Sequence, residues 1–186
     1  EARAYLTLAR SLLTPAPPPP LVAIGGLSGT GKSTGARALS PEIGAAPGAR
    51  VLRSDVIRKR LCGVTPETPL SSEAYSAEMT ARVYQALCDK AIVALRAGYC
   101  AVIDAVALRP EERAALAAAA ATAGVPFTGI WLEAPAATMA ARIRARQGDA
   151  SDATENVLRE QLDRGPGALD WHTVDVGGGR DMSVAA

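Results

Sequence analysis

Histidine is all but missing from this chain of 186 residues: the only one is His172, next to Trp171. A Ser-His-Asp triad or a histidine-rich metal site has almost no material here, so a general base has to come from a carboxylate. Cysteine is nearly as scarce. Cys62, Cys88 and Cys100 are an odd set without C-x-x-C or Cys/His spacing, which excludes a disulfide framework and fits reduced thiols of a cytoplasmic protein, serving as small core residues. Aromatic residues make up only 4% of the chain and the formal net charge is +1. A protein that grips long or single-stranded nucleic acid needs a basic groove and stacking rings, so this balance argues against that class. No apolar run approaches the ~20 residues a membrane span requires.

What is present is an ordinary globular mixture, 48% hydrophobic and 21% charged, long enough for one well-buried domain. The strongest signal is GLSGTGKS over residues 26–33, directly after the apolar run Leu21, Val22, Ala23, Ile24. It fits G-x-x-x-x-G-K-[ST], the phosphate-binding P-loop. Glycines let successive backbone N–H groups turn toward phosphate oxygens, Lys32 reaches the β- and γ-phosphates, and the Ser33 hydroxyl can ligate Mg²⁺. Gly26, Ser28, Gly29, Thr30, Gly31, Lys32, Ser33 and Thr34 are therefore the expected nucleotide-binding residues. The helix that follows adds the positive end of its dipole. No N-K-x-D motif for guanine is present, which favours ATP over GTP.

Strand and helix patterns alternate after residue 20, which predicts an α/β three-layer P-loop fold: a parallel sheet with helices on both faces and a helical lid. Strands are expected at 21–26, 51–53, 100–103, 127–132 and 172–176, and helices at 32–39, 56–61, 72–97, 110–123, 136–146 and 151–164. In the long helix Tyr75, Met79, Val83, Leu87, Ala91 and Leu95 lie on one stripe. Residues 1–13 have helical periodicity but no signal-peptide core, and a polyproline connector follows to residue 20. We expect residues 1–20 to be the end of an upstream region, 21–176 the P-loop domain and 177–186 a flexible tail. A helix packed on the domain is the open alternative for the first segment.

In such a sheet ligands lie at the carboxyl ends of the strands, and three further sites fall there. Asp104, ending the third strand, can hold Mg²⁺ beside Ser33. Asp55 follows the second strand and can accept a proton from an acceptor hydroxyl, with Arg58 on the same helical turn to orient the acceptor. The bland alternative is that Ser54 or Asp55 is only an N-cap. Arg142 and Arg146 share a helix face and suit a lid over transferring phosphates, while Arg144 points elsewhere.

With these residues the chain resembles the P-loop small kinases of the polynucleotide-kinase, zeta-toxin and gluconate-kinase type. In that group an aspartate after the second strand and an arginine three residues on serve the acceptor, which implies Asp55 and Arg58 here. The group's lid arginines correspond to Arg142 and Arg146. Residues 53–60, 102–105 and 148–153 are similar to a kinase-like, AAA-family-like ATPase domain fused behind an aminoglycoside-phosphotransferase-like domain in bacteria. One departure is that Ala105 to Leu108 lack the hydroxyl or amide residue many relatives carry after the metal aspartate. The resemblance implies an ATP- and Mg²⁺-dependent phosphotransferase acting on a small-molecule hydroxyl acceptor, with an upstream domain as partner. Two rivals remain: a polynucleotide 5′-hydroxyl kinase and a nucleotide-sensing regulatory ATPase module.

Overall fold

The computed structural model describes residues 2–13, 18–146 and 148–178. Five strands, β1 (Leu21–Gly26), β2 (Arg50–Arg53), β3 (Ala101–Asp104), β4 (Phe127–Glu133) and β5 (His172–Asp175), form a parallel sheet in the order β2-β3-β1-β4-β5. The helices are α1 (Ala2–Leu13), α2 (Lys32–Leu39), α3 (Ser54–Leu61), α4 (Ala77–Arg96), α5 (Pro110–Ala123), α6 (Ala136–Arg144) and α7 (Glu155–Arg164). This is the three-layer P-loop architecture that the alternating pattern predicts.

Strand alternation decides which helix each face meets. Leu21 and Ala23 of β1, with Ala101 and Ile103 of β3, join Leu87 and Leu95 of α4 and Leu116 of α5 in one buried cluster. Val22 and Ile24, with Val102 and Leu132, meet Ala36 of α2 in another. Both faces of β1 are thus covered, and all six of its residues are buried. A fully buried strand cannot carry a charged side chain cheaply, which is why the chemistry begins only beyond its carboxyl end.

α3 begins two residues earlier than expected, at Ser54, four strands shift by a residue at one or both ends, and three further boundaries change more. The helix expected over 72–97 is broken: a 3-10 turn, Ser72–Tyr75, precedes α4, and Ser76 caps α4 by accepting from Met79 N at 3.2 Å. Tyr75 therefore leaves the apolar stripe and is 41% exposed, whereas Val83, Leu87, Ala91 and Leu95 are buried as expected. α6 ends at Arg144, so Arg146 lies just past its C-cap, Ala145, instead of on the helix. α7 begins at Glu155, not 151, with Thr154 as its N-cap, because the residues before it are held by partners elsewhere in the fold. Tyr5 and Leu6 of α1 are exposed. Part of the expected polyproline connector (residues 14–17), residue 147 in the lid turn and most of the expected tail (179–186) lie outside the described residues.

Candidate active site

The P-loop lies between the end of β1 and the start of α2, and its glycines are required by close packing. Gly29 has φ 85°, and a Cβ there would lie 2.4 Å from the backbone oxygen of Met139 in α6. Gly26 has φ 136°, and its Cβ would meet Leu132 O at 2.6 Å. Both contacts involve backbone that cannot swing aside, so any side chain would push the loop off β4 and α6. Lys32 Nζ donates to Gly26 O at 2.8 Å and Leu27 O at 2.9 Å. Burial lowers the Lys32 pKa, while the carboxylates Asp104 and Asp55 oppose the shift. Ser28 and Thr30 are buried, and Ser28 N donates to Gln161 Oε1 of α7 at 2.9 Å.

Ser33 and Asp104, far apart in sequence, meet: Ser33 Oγ donates to Asp104 Oδ2 at 2.6 Å. Two hard oxygen donors this close beside a phosphate cradle are a fitting partial shell for Mg²⁺, which takes few protein ligands and completes its octahedron with phosphate and water. Among the described residues no group of three or more His, Cys, Asp or Glu is placed to hold a metal ion.

Asp55 and Arg58 line the same cleft as Lys32, a cavity of about 1000 Å³. Burial raises the Asp55 pKa, and the Asp104 charge adds to this; Lys32, Arg53 and the nearby Ser151 side chain oppose it. The N-cap of α3 is Arg53, and no side-chain capping bond is present there. Neither Ser54 nor Asp55 is therefore the cap. The Arg58 guanidinium is buried, donates to Ala74 O at 2.7 Å, and sits 4.7 Å from the centre of the Tyr75 ring. The Tyr75 hydroxyl donates to Asp152 Oδ2 at 2.7 Å. Asp152 also accepts from Lys59 Nζ at 2.7 Å and Leu70 N at 3.1 Å. Lys59, 1% exposed, further donates to Thr68 O. This knot fixes one wall of the cleft.

The three arginines around α6 separate by partner. Arg142 donates to Thr30 O at 3.2 Å, Gly29 O at 3.5 Å and Val176 O at 2.9 Å, bracing the P-loop against the end of β5. Arg144 pairs with Glu155 at 3.0 Å on the exposed surface. Arg146 lines the cleft, and its NH1 is buried with no hydrogen-bond partner among the described residues. A buried guanidinium nitrogen without an acceptor is costly, and an incoming phosphate oxygen would satisfy it.

Arg53, Lys59, Asp149 and Asp152 fall inside the motifs at 53–60 and 148–153, where no task was assigned to them, and Gln161 lies outside every motif. Arg53 Nε donates to Asp104 Oδ2 at 3.1 Å and its NH2 to Asp149 Oδ1 at 2.8 Å. One signal was available: Arg53 and Asp104 both end short strands, and in parallel register they become neighbours. The others depend on contacts across the fold that no spacing reveals.

A family model described as "AAA domain" matches residues 21–166. Proteins of Mycobacterium tuberculosis and Mycobacterium bovis described as uncharacterized are 35% identical over 171 residues, 88% of this chain and 33% of theirs. The chain thus spans about a third of the length of the curated relatives it matches. The gluconokinase of Sinorhizobium meliloti superposes with a TM-score of 0.59 at 22% identity, covering 87% of this chain and 85% of that one. The APS kinase of Mycobacterium tuberculosis, solved with AMPPNP and APS, gives 0.53 at 25% identity over 69% and 70%. The fold is that of the P-loop kinases.

Proposed function

Since the chain belongs to the AAA domain family over residues 21–166, we propose that it moves the γ-phosphoryl group of ATP to a hydroxyl of a small molecule. One observation carries the reading. Asp55, a carboxylate with raised proton affinity, shares a cleft and an electrostatic field with the P-loop lysine Lys32. A module that only senses nucleotide needs the phosphate cradle and no base for an acceptor. The near-neutral charge and the closed wall built by Tyr75, Asp152 and Lys59 favour a compact acceptor over a polynucleotide.

Backbone amides of residues 29–33 and the Lys32 ammonium would cradle the phosphates, and Ser33 with Asp104 would hold Mg²⁺, which would supply charge neutralisation on the β- and γ-phosphates. Asp55 accepts the hydroxyl proton as the acceptor oxygen bonds to the γ-phosphorus and the bond to the β–γ bridging oxygen breaks, releasing ADP. Arg58 orients the acceptor from its fixed seat on Tyr75. Arg146 offers its free NH1 to the charge that develops on the transferring group, and Arg142 keeps the loop in place. We infer further that the domain works in the cytoplasm as one part of a longer protein, supported by its free cysteines and by the length of its relatives.

The test is mass spectrometry of products after incubation with Mg·ATP and a library of sugars, sugar acids, polyols, nucleosides and hydroxylated amino acids. A phosphorylated library member, absent from Lys32→Ala reactions, is the expected result. ADP formed at the same rate with every member and no phosphorylated product would favour the sensing module instead.

A further inference from the structure

Arg53 has no part in that chemistry, yet it bridges two sides of the cleft. β2 and β3 run in parallel with Arg53 beside Asp104, so both side chains leave the same edge of the sheet. Arg53 Nε donates at 3.1 Å to Asp104 Oδ2, the oxygen that also accepts from Ser33 Oγ. The other arm of the guanidinium donates at 2.8 Å to Asp149 Oδ1, which accepts in addition from Ser151 N at 2.9 Å. The Ser151 side chain in turn lies near enough to Asp55 to favour its charged form. The Arg53 side chain is 14% exposed and that of Asp104 5%, so solvent screens this chain of charges weakly. A planar fork with separate donors can hold two carboxylates at once in a way a lysine ammonium on a flexible stem does not.

We propose that Arg53 is a positioning residue that couples cation binding at Asp104 to the placement of residues 148–152 over Asp55, an inference that rests on the Mg·ATP reading of the site. Asp104 Oδ2 already serves two donors. Sharing its charge with a divalent cation weakens its hold on Arg53, since both cations compete for one carboxylate. The guanidinium then has Asp149 as its main counter-charge, and the bond already formed to it at 2.8 Å tightens, holding that segment and Ser151 more firmly over the acceptor side. Order in residues 148–152 therefore follows the cation and nucleotide together, and nucleotide alone does not produce it.

Amide hydrogen exchange over residues 148–153 of the whole chain tests this, with a non-hydrolysable ATP analogue plus Mg²⁺, or the analogue plus EDTA, beside calorimetric titration of each. Wild type should exchange about 10-fold more slowly with Mg²⁺ and analogue, and with EDTA hardly more slowly than free protein. Asp149→Asn keeps the shape and loses the charge. Its protection should fall below about 3-fold while affinity for the Mg²⁺-analogue complex stays within about 3-fold of wild type, and Asp149→Glu should regain part of the protection. Protection in Asp149→Asn equal to wild type, or wild-type protection unchanged by EDTA, would overturn the proposal; the second comparison needs no variant to fold. A wild type that binds no Mg²⁺-analogue complex overturns the functional reading and this inference together. Binding without cation-dependent protection overturns the inference alone.

Discussion

Two side chains separate the roles of cradle and base. In the proposed mechanism Lys32 supplies the point charge on the β- and γ-phosphates, and Lys32→Ala leaves those oxygens without it. Calorimetry should find nucleotide affinity lowered at least about 10-fold, with the fold intact by circular dichroism. Asp55→Asn keeps the shape but cannot take a proton, so single-turnover transfer should fall about 10²-fold or more while ATP affinity stays close to wild type. The sign of its effect on stability follows from linkage. Burial beside Asp104 raises the folded-state pKa of Asp55, so the folded state binds more protons than the unfolded state as pH climbs past the unfolded value. Stability is lost over that window, and the cost is full above the folded pKa. Asp55→Asn removes the cost, and its melting temperature at neutral pH should equal or exceed that of wild type. Since the cap of α3 is Arg53, no capping loss offsets this. The acid limb of kcat/KM in wild type should lie above the ordinary carboxylate range and vanish in Asp55→Asn.

At the scale of elements, α6 makes three arginines unequal. Arg146→Ala removes a buried donor without a partner among the described residues and should lower kcat about 10²-fold with little change in melting temperature. Arg142→Ala deletes bonds to the P-loop and to Val176, so nucleotide affinity and melting temperature should both fall. Arg144→Ala breaks only an exposed pair with Glu155, and steady-state kinetics and thermal melting should stay close to wild type, within ~1 kcal/mol of stability. The elements that could be read from sequence are those punctuated locally. α5 runs from Pro110 to Ala123, as expected from proline at its start and Gly124 beyond its end. β1 and α2 fall at their expected bounds because the P-loop joins them. The break before α4 was hidden because a capping serine such as Ser76 looks like any helical serine until its hydroxyl finds Met79 N. Residues 151–154 read as helix, yet Asp149 and Asp152 are engaged by Arg53 and Lys59 from the other side of the cleft. In the site, Lys32 and Ser33 are marked in the sequence by the P-loop motif, and Asp55 and Asp104 by their places after apolar runs. The arginine fork was not, because it exists only once β2 and β3 pair.

For the whole molecule, a ligand that engages the end of the central strand β1 stabilises a structure that unfolds only when the sheet does. Mg·ATP at about 100 times its dissociation constant adds about 2.7 kcal/mol, which for a chain this size raises the melting temperature by roughly 5–10 °C. A fluorescence melt should find that rise in wild type and little of it in Lys32→Ala. The same central position sets a timetable for synthesis. β1 leaves the ribosome first among the strands, but its hydrogen-bond partners β3 and β4 follow only at residues 101–104 and 127–133. The P-loop itself rests on Leu132 and on Met139. During translation the phosphate cradle therefore waits as an unpaired apolar strand with a glycine-rich end, exposed to misassociation for as long as its neighbours are unmade. Ribosome-stalled chains released in steps should acquire nucleotide binding only once α6 has cleared the exit tunnel, so the oldest part of the nascent domain is among the last to become competent.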